Sequence, residues 1–379
     1  MKILIYENSS GFSSYTSKLC EALVKNEAVR IDYITVENNE YLKNVDERIN
    51  VLPILKSFDS SKKKSFFWFF NRIYVGFINI IRRNRFCKKN KYDAISIQST
   101  NPVIDRFFIK KFCKQNENVV YTVHDVIPPI RSFSWSKGSL KKMYRSVDKM
   151  IVHTEENKRQ LVDVFSVPEE RIYVVNHGTD VDYVKLDKER CRAELGLDKE
   201  KVVLLFYGLI REQKGLDDLI RAMKGLKDCQ LFIAGAMPHG ESFDAYDSLI
   251  KDTGIDAVKM IKFVPEEMTD TVFNSCDVIC LPYKYFYSQS GVFMQSIKYR
   301  KPVVVSDVSS FREYLNDYSI GILCNPNDPD DLRKKLEELI SVLKLDPDRF
   351  SADLEKAAKD NSWETSAKKY LTVFSDKGL

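Results

Sequence analysis

The residues best placed to do chemistry lie in one short run, Phe206-Tyr207-Gly208-Leu209-Ile210-Arg211-Glu212-Gln213-Lys214-Gly215-Leu216. An apolar strand-like stretch ends at Tyr207, and a helix-like pattern begins after Gly215. Glycine lets backbone approach a ligand closely. A helix amino terminus offers free N–H groups to an anion, and cations hold phosphate oxygens through charge-assisted hydrogen bonds. Arg211 and Lys214 between two glycines therefore describe a diphosphate site, although the same residues suit a surface loop with two solvated cations. A second cluster, Tyr121-Thr122-Val123-His124-Asp125, also follows a strand. His124 there is either a site residue or a structural one. The first strand runs into Glu7-Asn8-Ser9-Ser10-Gly11-Phe12, where small residues leave room for a phosphate or an acceptor. The Gly-x-Gly-x-x-Gly fingerprint of dinucleotide binding is absent, which counts against a dehydrogenase.

These loops need strands to end them. In the second half, apolar runs at Lys201–Tyr207, Cys229–Ala234, Val258–Phe263, Val278–Leu281 and Pro302–Val305 alternate with helical patterns at Leu216–Met223, Tyr246–Lys251, Glu266–Asn274, Gln289–Tyr299 and Leu332–Leu343. The first half repeats the scheme from Lys2–Tyr6 to Ile172–Val175. Strand–helix alternation gives a parallel sheet covered on both faces, and ligands bind beyond the carboxyl ends of its strands. With 379 residues, two domains of roughly 100–200 residues are expected. The polar stretch from Asn176 to about Asp198 reads as the linker. The expected plan is a first domain over 1–178, a second over 179–360, and a helix in 361–379 that crosses back.

Composition narrows the setting. The net charge of +5 conceals ten Lys or Arg and no Asp or Glu between Lys62 and Lys91, so the rest carries 5 − 10 = −5. One local electrostatic contact fits this better than a basic surface overall. Within that segment Ser65, Arg72, Gly76, Asn79 and Arg83 form a polar stripe at helical spacing, with aromatics and isoleucines elsewhere. The pattern fits a helix lying on an anionic membrane surface. It also fits a helix packed on the first domain with a solvated basic end, and less well a nucleic-acid contact. Met1-Lys2 followed by Ile3-Leu4-Ile5-Tyr6 is too short for a signal-peptide core. The eight cysteines are scattered without a metal-ligand set, as for buried, reduced thiols. The expected location is cytoplasmic, on the inner face of the cell membrane.

The Gly-x-x-Arg-x-x-Lys-Gly run after a strand resembles the donor-phosphate loop of the retaining glycosyltransferases of family 4. Further motifs follow in that family's order. Val152-His153-Thr154-Glu155 and Ile172-Tyr173-Val174-Val175-Asn176-His177-Gly178 resemble the approach to the domain crossover. Leu231-Phe232-Ile233-Ala234-Gly235 resembles the strand whose glycine end faces the nucleoside, and Phe263-Val264-Pro265 the turn against the base. Ser290-Gly291-Val292 through Asp307 resembles the helix and strand that close the donor pocket. The resemblance covers most of residues 100–375.

It implies the GT-B fold, two Rossmann-like α/β domains whose parallel sheets face each other across a cleft. It implies transfer of a sugar from a nucleotide-sugar donor with retention of configuration. His124 would place the sugar, Arg211 and Lys214 would neutralise the leaving diphosphate, and Gly11, Gly208, Gly215, Gly235 and Val264 would line the donor. No cofactor or metal is expected. The acceptor implied is a lipid-linked saccharide in polysaccharide synthesis. One departure stands out. Many members carry two glutamates eight positions apart, and here Ser288 and Ser296 occupy those positions. Gln289, Ser290 and the amides of Gly291 and Val292 would then hold the sugar and phosphate, with Ser296 left to bond a ribose. The departure leaves room for a catalytically degenerate partner subunit, and an epimerase on the same fold is a further alternative.

Overall fold

The computed structural model describes residues 1–39, 46–57, 66–127, 130–286, 289–308 and 311–376; for Ser10, 66–69 and 130–135 only the backbone is described. The chain forms two units, one of Met1–Gly178 with Trp363–Leu379, the other of Thr179–Ser362.

The first unit contains β1 (Lys2–Glu7), α1 (Ser13–Val24), β2 (Arg30–Val36), β3 (Ile49–Leu55), α2 (Phe66–Lys89), β4 (Ala94–Ser99), α3 (Pro102–Asp105), α4 (Ile109–Gln115), β5 (Val119–Thr122), α5 (Ile130–Tyr144), β6 (Lys149–Val152), α6 (Glu155–Phe165) and β7 (Ile172–Val174). Its strands are all parallel, in the order β3-β2-β1-β4-β5-β6-β7. Side chains alternate across a strand, and β1 shows what each face meets. Ile3 and Ile5 pack with Leu19 and Leu23 of α1, while Leu4 and Tyr6 pack with Cys87, Phe112 and Met143 of α2, α4 and α5. Both faces are covered, which is why parallel strands read as unbroken apolar runs.

The second unit contains α7 (Lys188–Leu195), β8 (Val202–Tyr207), α8 (Leu216–Ala222), β9 (Cys229–Ala234), α9 (Asp244–Thr253), β10 (Ala257–Met260), α10 (Glu266–Ser275), β11 (Val278–Leu281), α11 (Gly291–Lys298), β12 (Val303–Ser306), α12 (Phe311–Asp317), β13 (Gly321–Cys324), α13 (Pro329–Leu345) and α14 (Ser351–Asp360). Its parallel sheet runs β10-β9-β8-β11-β12-β13. The last helix, α15 (Trp363–Ser375), belongs to the first unit. There Tyr370, Val373 and Phe374 join the core beneath α1. Gly178 lies against Trp363 so closely that a Cβ would come within 2.3 Å of the indole. All eight cysteines are free and buried.

Helix α2 packs on the first unit through Gly76, Asn79 and Arg83 of the polar stripe, while Arg72 stays exposed. Gly76 lies against α3, where a Cβ would come within 2.8 Å of Ile104. Asn79 is buried and accepts the Lys56 N–H at 2.9 Å. Arg83 is fully buried and makes two hydrogen bonds to Asp105, at 2.6 and 2.8 Å. A buried cation must be paired, so one of the basic segment's charges is internal. The side turned to solvent carries Phe70, Ile73, Tyr74 and Phe77, each 42–52% exposed. Their i, i+3, i+4, i+7 spacing makes one continuous face. Lys62, Lys63, Lys64 and Ser65 lie outside the described residues. Among the described residues no helix is long and apolar enough to cross a membrane.

Candidate active site

In the second unit the strand ends converge on Lys214. Gly208 follows β8 with φ +96°, and a Cβ there would sit 3.5 Å from both Lys214 Nζ and Val292 Cγ2. The ammonium therefore lies beside the amino terminus of α11. It also stands 5.4 Å from the ring centre of Tyr283. The Tyr283 hydroxyl is 3.1 Å from Ser290 Oγ, which accepts the Phe293 N–H and so caps α11. That leaves the N–H groups of Gly291 and Val292, in the first turn, without an intrahelical acceptor. Two glycines make the convergence possible. A Cβ on Gly235 would lie 1.8 Å from the Gly208 carbonyl oxygen, and one on Gly215 (φ +68°) 1.9 Å from that of Pro282.

The sequence offered two helix termini to a diphosphate, those of α8 and α11. Helix α8 carries Asp217 and Asp218 in its own first turn. Asp217 accepts from Lys284 and from Arg221, both at 2.8 Å. Its positive end is answered internally, and the anion-ready terminus is that of α11. Lys214 is half-buried and Arg211 exposed. Neither is in an ion pair among the described residues.

In the first unit the site end of the sheet is closed. Glu7, at the end of β1, is buried and accepts from the Phe12 N–H at 3.1 Å, from Ser13 Oγ at 3.2 Å and from the Tyr33 hydroxyl. This fixes the loop that holds Gly11. Burial raises the Glu7 carboxyl above its usual range. Phe12 in turn stacks on His124, ring centres 4.1 Å apart. His124 Nε2 lies 3.2 Å from Gln98 Oε1, and its Nδ1 3.2 Å from His153 Nε2. His153 Nδ1 lies 2.9 Å from the Val175 carbonyl.

That chain has three links and an acceptor at each end, whereas two neutral imidazoles supply two protons. A third proton is disfavoured. Burial, with His153 and His177 nearby, holds His124 well below its ordinary value, and burial takes His153 down to about 4. A half-turn of the Gln98 amide satisfies every link. Its NH2 then donates to His124 Nε2, and its carbonyl accepts from Ser96 and Thr122, which already lie 2.9 and 3.2 Å away. His124 is then neutral, with its proton on Nδ1 and both nitrogens engaged inside the unit. Tyr15 packs edge-on against His124, and its hydroxyl meets that of Tyr370 at 2.9 Å. Gln98 and Tyr15 were not singled out from the sequence, because their partners lie far away along the chain.

Two family models cover nearly all of this. "Glycosyltransferase Family 4" matches residues 9–183, and "Glycosyl transferases group 1" matches 187–360. The chain belongs to glycosyltransferase family 4. Its fold is GT-B. Sucrose-phosphate synthase from Thermosynechococcus elongatus superposes with TM-score 0.76 at 16% identity, over 99% of this chain and 98% of that one. HepE of Anabaena, solved in complex with UDP, gives TM-score 0.76 at 14% identity, over 99% and 100%. In sequence, the D-inositol 3-phosphate glycosyltransferase of Mycobacterium sp. strain KMS is 29% identical over 62% of this chain. The match spans about half the length of that relative, 52%.

For a family 4 chain, the remaining site residues sort by accessibility. Ser288 lies outside the described residues. Ser296 is fully buried and donates to the Phe293 carbonyl at 2.6 Å, so its hydroxyl is not free to bond a ribose. The expectation for it is corrected: serine is too short to leave the helix surface it sits on. Ser290 is spent on the cap and on Tyr283. Gln289 differs: its amide nitrogen meets Met294 Sδ at 3.2 Å, while its Oε1 is buried without a partner among the described residues. Val264 is 7% exposed and its neighbour Phe263 75%. Val264 therefore has only backbone to offer a base, and Phe263 has the open ring face.

Proposed function

We propose that this chain transfers a sugar from a nucleoside-diphosphate sugar, with retention of configuration, to a lipid-linked saccharide in the making of a surface polysaccharide. The observation that carries the donor half is the meeting of an unpaired lysine with a free helix terminus. Lys214 Nζ and Val292 Cγ2 each lie 3.5 Å from where a Gly208 side chain would start, which sets the ammonium near the first turn of α11. Fixed positive charge aimed at a leaving diphosphate lowers the barrier without reorganisation. Arg211, exposed on the same loop, adds to it. This supply of charge is why the reading calls for no metal. Gln289 Oε1, an acceptor without a partner, would take a hydroxyl of the donor sugar.

In this mechanism the acceptor hydroxyl attacks on the face the diphosphate leaves, and a phosphate oxygen receives its proton. His124, neutral and with its nitrogens engaged, would contribute placement of the sugar through its ring edge and backbone rather than charge. The Glu7–Phe12 loop with Gly11 would lie beside the acceptor. The exposed aromatic face of α2 supports work at a membrane surface, where aromatic rings sit at headgroup level.

The test is a titration with UDP, GDP, ADP and CMP, followed by melting temperature, with Lys214→Ala alongside. A ligand that binds the folded state raises its apparent stability. One nucleoside diphosphate is expected to do so, UDP being the first to try given its presence in HepE, and the shift is expected to vanish in the variant. No shift with any of the four would overturn the donor site and favour a degenerate partner subunit, the reading that the serines at 288 and 296 allow.

A further inference from the structure

The first unit carries a second basic surface that the mechanism does not use. It lies on the sheet face covered by α2, α4 and α5, opposite α1. A cavity of about 620 Å3 opens there, and Lys110, Lys114, Lys141, Lys142 and Arg145 line it against one carboxylate, Asp148. None of the five cations is in an ion pair among the described residues. Five like charges gathered without counter-charges cost the folded protein self-repulsion. The arrangement makes sense for an anion that the fold does not itself supply.

The pocket adjoins apolar surface. Phe107 is 63% exposed, and the Lys142 ammonium lies 5.2 Å from its ring centre. The next residue, Phe108, packs edge-on against Phe77 of α2 at 5.7 Å. The outward face of α2, with Phe70, Ile73, Tyr74 and Phe77, thus runs through Phe107 to the cationic pocket. Apolar side chains beside concentrated positive charge complement a bilayer whose headgroups are anionic: rings enter the headgroup layer and cations meet phosphates. A nucleic acid would use the cations but would leave the α2 face largely idle.

We propose that the α4–α5 pocket is a binding site for the phosphate of anionic phospholipid headgroups, and that it gives the membrane contact its charge preference. The proposal rests on the reading that α2 lies on a membrane. Each Lys or Arg near an anionic surface adds attraction, so reversing three of them should weaken binding to anionic vesicles by well over tenfold.

The experiment is flotation of the full chain with phosphatidylcholine vesicles and with vesicles that also hold phosphatidylglycerol. Three proteins are compared: wild type, Lys114→Glu with Lys142→Glu and Arg145→Glu, and Phe70→Ser with Tyr74→Ser. Wild type is expected to prefer the anionic vesicles by roughly tenfold or more. The pocket variant should lose that preference and keep the weak binding to phosphatidylcholine. The ridge variant should lose binding to both. Equal binding of wild type to the two vesicle types overturns the pocket and leaves the α2 reading standing, whereas no binding to either sinks the membrane reading itself. A melting-temperature rise with inorganic phosphate that needs the three cations, in a protein indifferent to phosphatidylglycerol, assigns the pocket to a soluble phosphate and overturns the lipid. Preferential retention of single-stranded RNA overturns it likewise. If the triple reversal does not fold, Lys142→Ala with Arg145→Ala carries the same comparison.

Discussion

The two candidate site regions are built on opposite principles. In the second unit only glycines let the strand ends come so close, and among the described residues Lys214 has no ion pair and Gln289 Oε1 no hydrogen-bond donor. In the first unit the corresponding strand ends are filled. His124, His153 and Gln98 satisfy one another, Glu7 is met by Phe12, Ser13 and Tyr33, Tyr15 by Tyr370, and rings cover His124. The difference teaches where each unit keeps its binding capacity. The second unit holds unspent charge for a charged ligand. The first holds a wall of polar groups already satisfied within the unit. An unmet group is a cost in the free protein that a ligand removes, while a satisfied network costs nothing and resists deformation.

The comparison breaks most sharply at Gly235. Its Cβ would fall 1.8 Å from the Gly208 carbonyl oxygen, so Gly235→Ala must push two strand ends apart. A loss of about 3 kcal/mol is expected, at the upper end for overpacking, read as a lower urea midpoint; an unchanged midpoint would show that the strand ends are not in contact. The first unit should fail instead by titration. Unfolded histidines titrate near 6.5, whereas burial holds folded His153 at about 4 and His177 at about 3. Between those values only the unfolded chain binds the protons. Stability is therefore complete above pH 6.5 and falls as pH drops towards 4, by a few kcal/mol in all. Glu7, raised by burial, has the opposite sign. It favours the folded state below its unfolded value and loses that as pH rises through its folded one, which offsets part of the change. A urea midpoint that does not move between pH 7 and 5 would mean these histidines are not held neutral.

Lys214→Ala sharpens the other side. It removes unspent charge and little packing, so turnover should fall more than tenfold, about 1.4 kcal/mol in the barrier or more, with stability nearly unchanged. Near-normal turnover would remove Lys214 from the donor site. The smallest effect is expected at Gly11. Its φ is not positive, and a Cβ would meet only Ser9 Oγ, at 3.7 Å. Gly11→Ala should shift stability by less than about 0.5 kcal/mol. Any larger loss of transfer would then report the close approach of a ligand rather than of the chain itself.

The elements the sequence hid share a cause. Helix α7 falls in the polar stretch read as linker, because its buried residues are Cys191 and Arg192 rather than an apolar stripe. Arg192 is spent on the Ser275 and Lys199 carbonyls and on Asp277, partners up to 85 positions away. Strand β3, at the sheet edge, is buried only at its two ends, with exposed Asn50 and Pro53 between, so it lacks the unbroken apolar run that marks an interior parallel strand. In α2 the helix was visible but its orientation was not. Periodicity separates two faces of a helix, yet it does not say which one is buried when the polar face finds Asp105 and much of the apolar one stays exposed.

The sequence by itself determined the alternation of strands and helices, the glycine-flanked Arg211 and Lys214, and the family those motifs mark. Each of these is local: a strand, a turn and a helix start within about a dozen residues obey steric and hydrogen-bonding rules that neighbours alone can state. Tertiary structure decided which helix terminus faces Lys214, whether Ser296 can reach solvent, how many protons His124 carries, and which side of α2 looks outward. Those are matters of pairing between residues distant in sequence, and only the packed chain brings the pairs together.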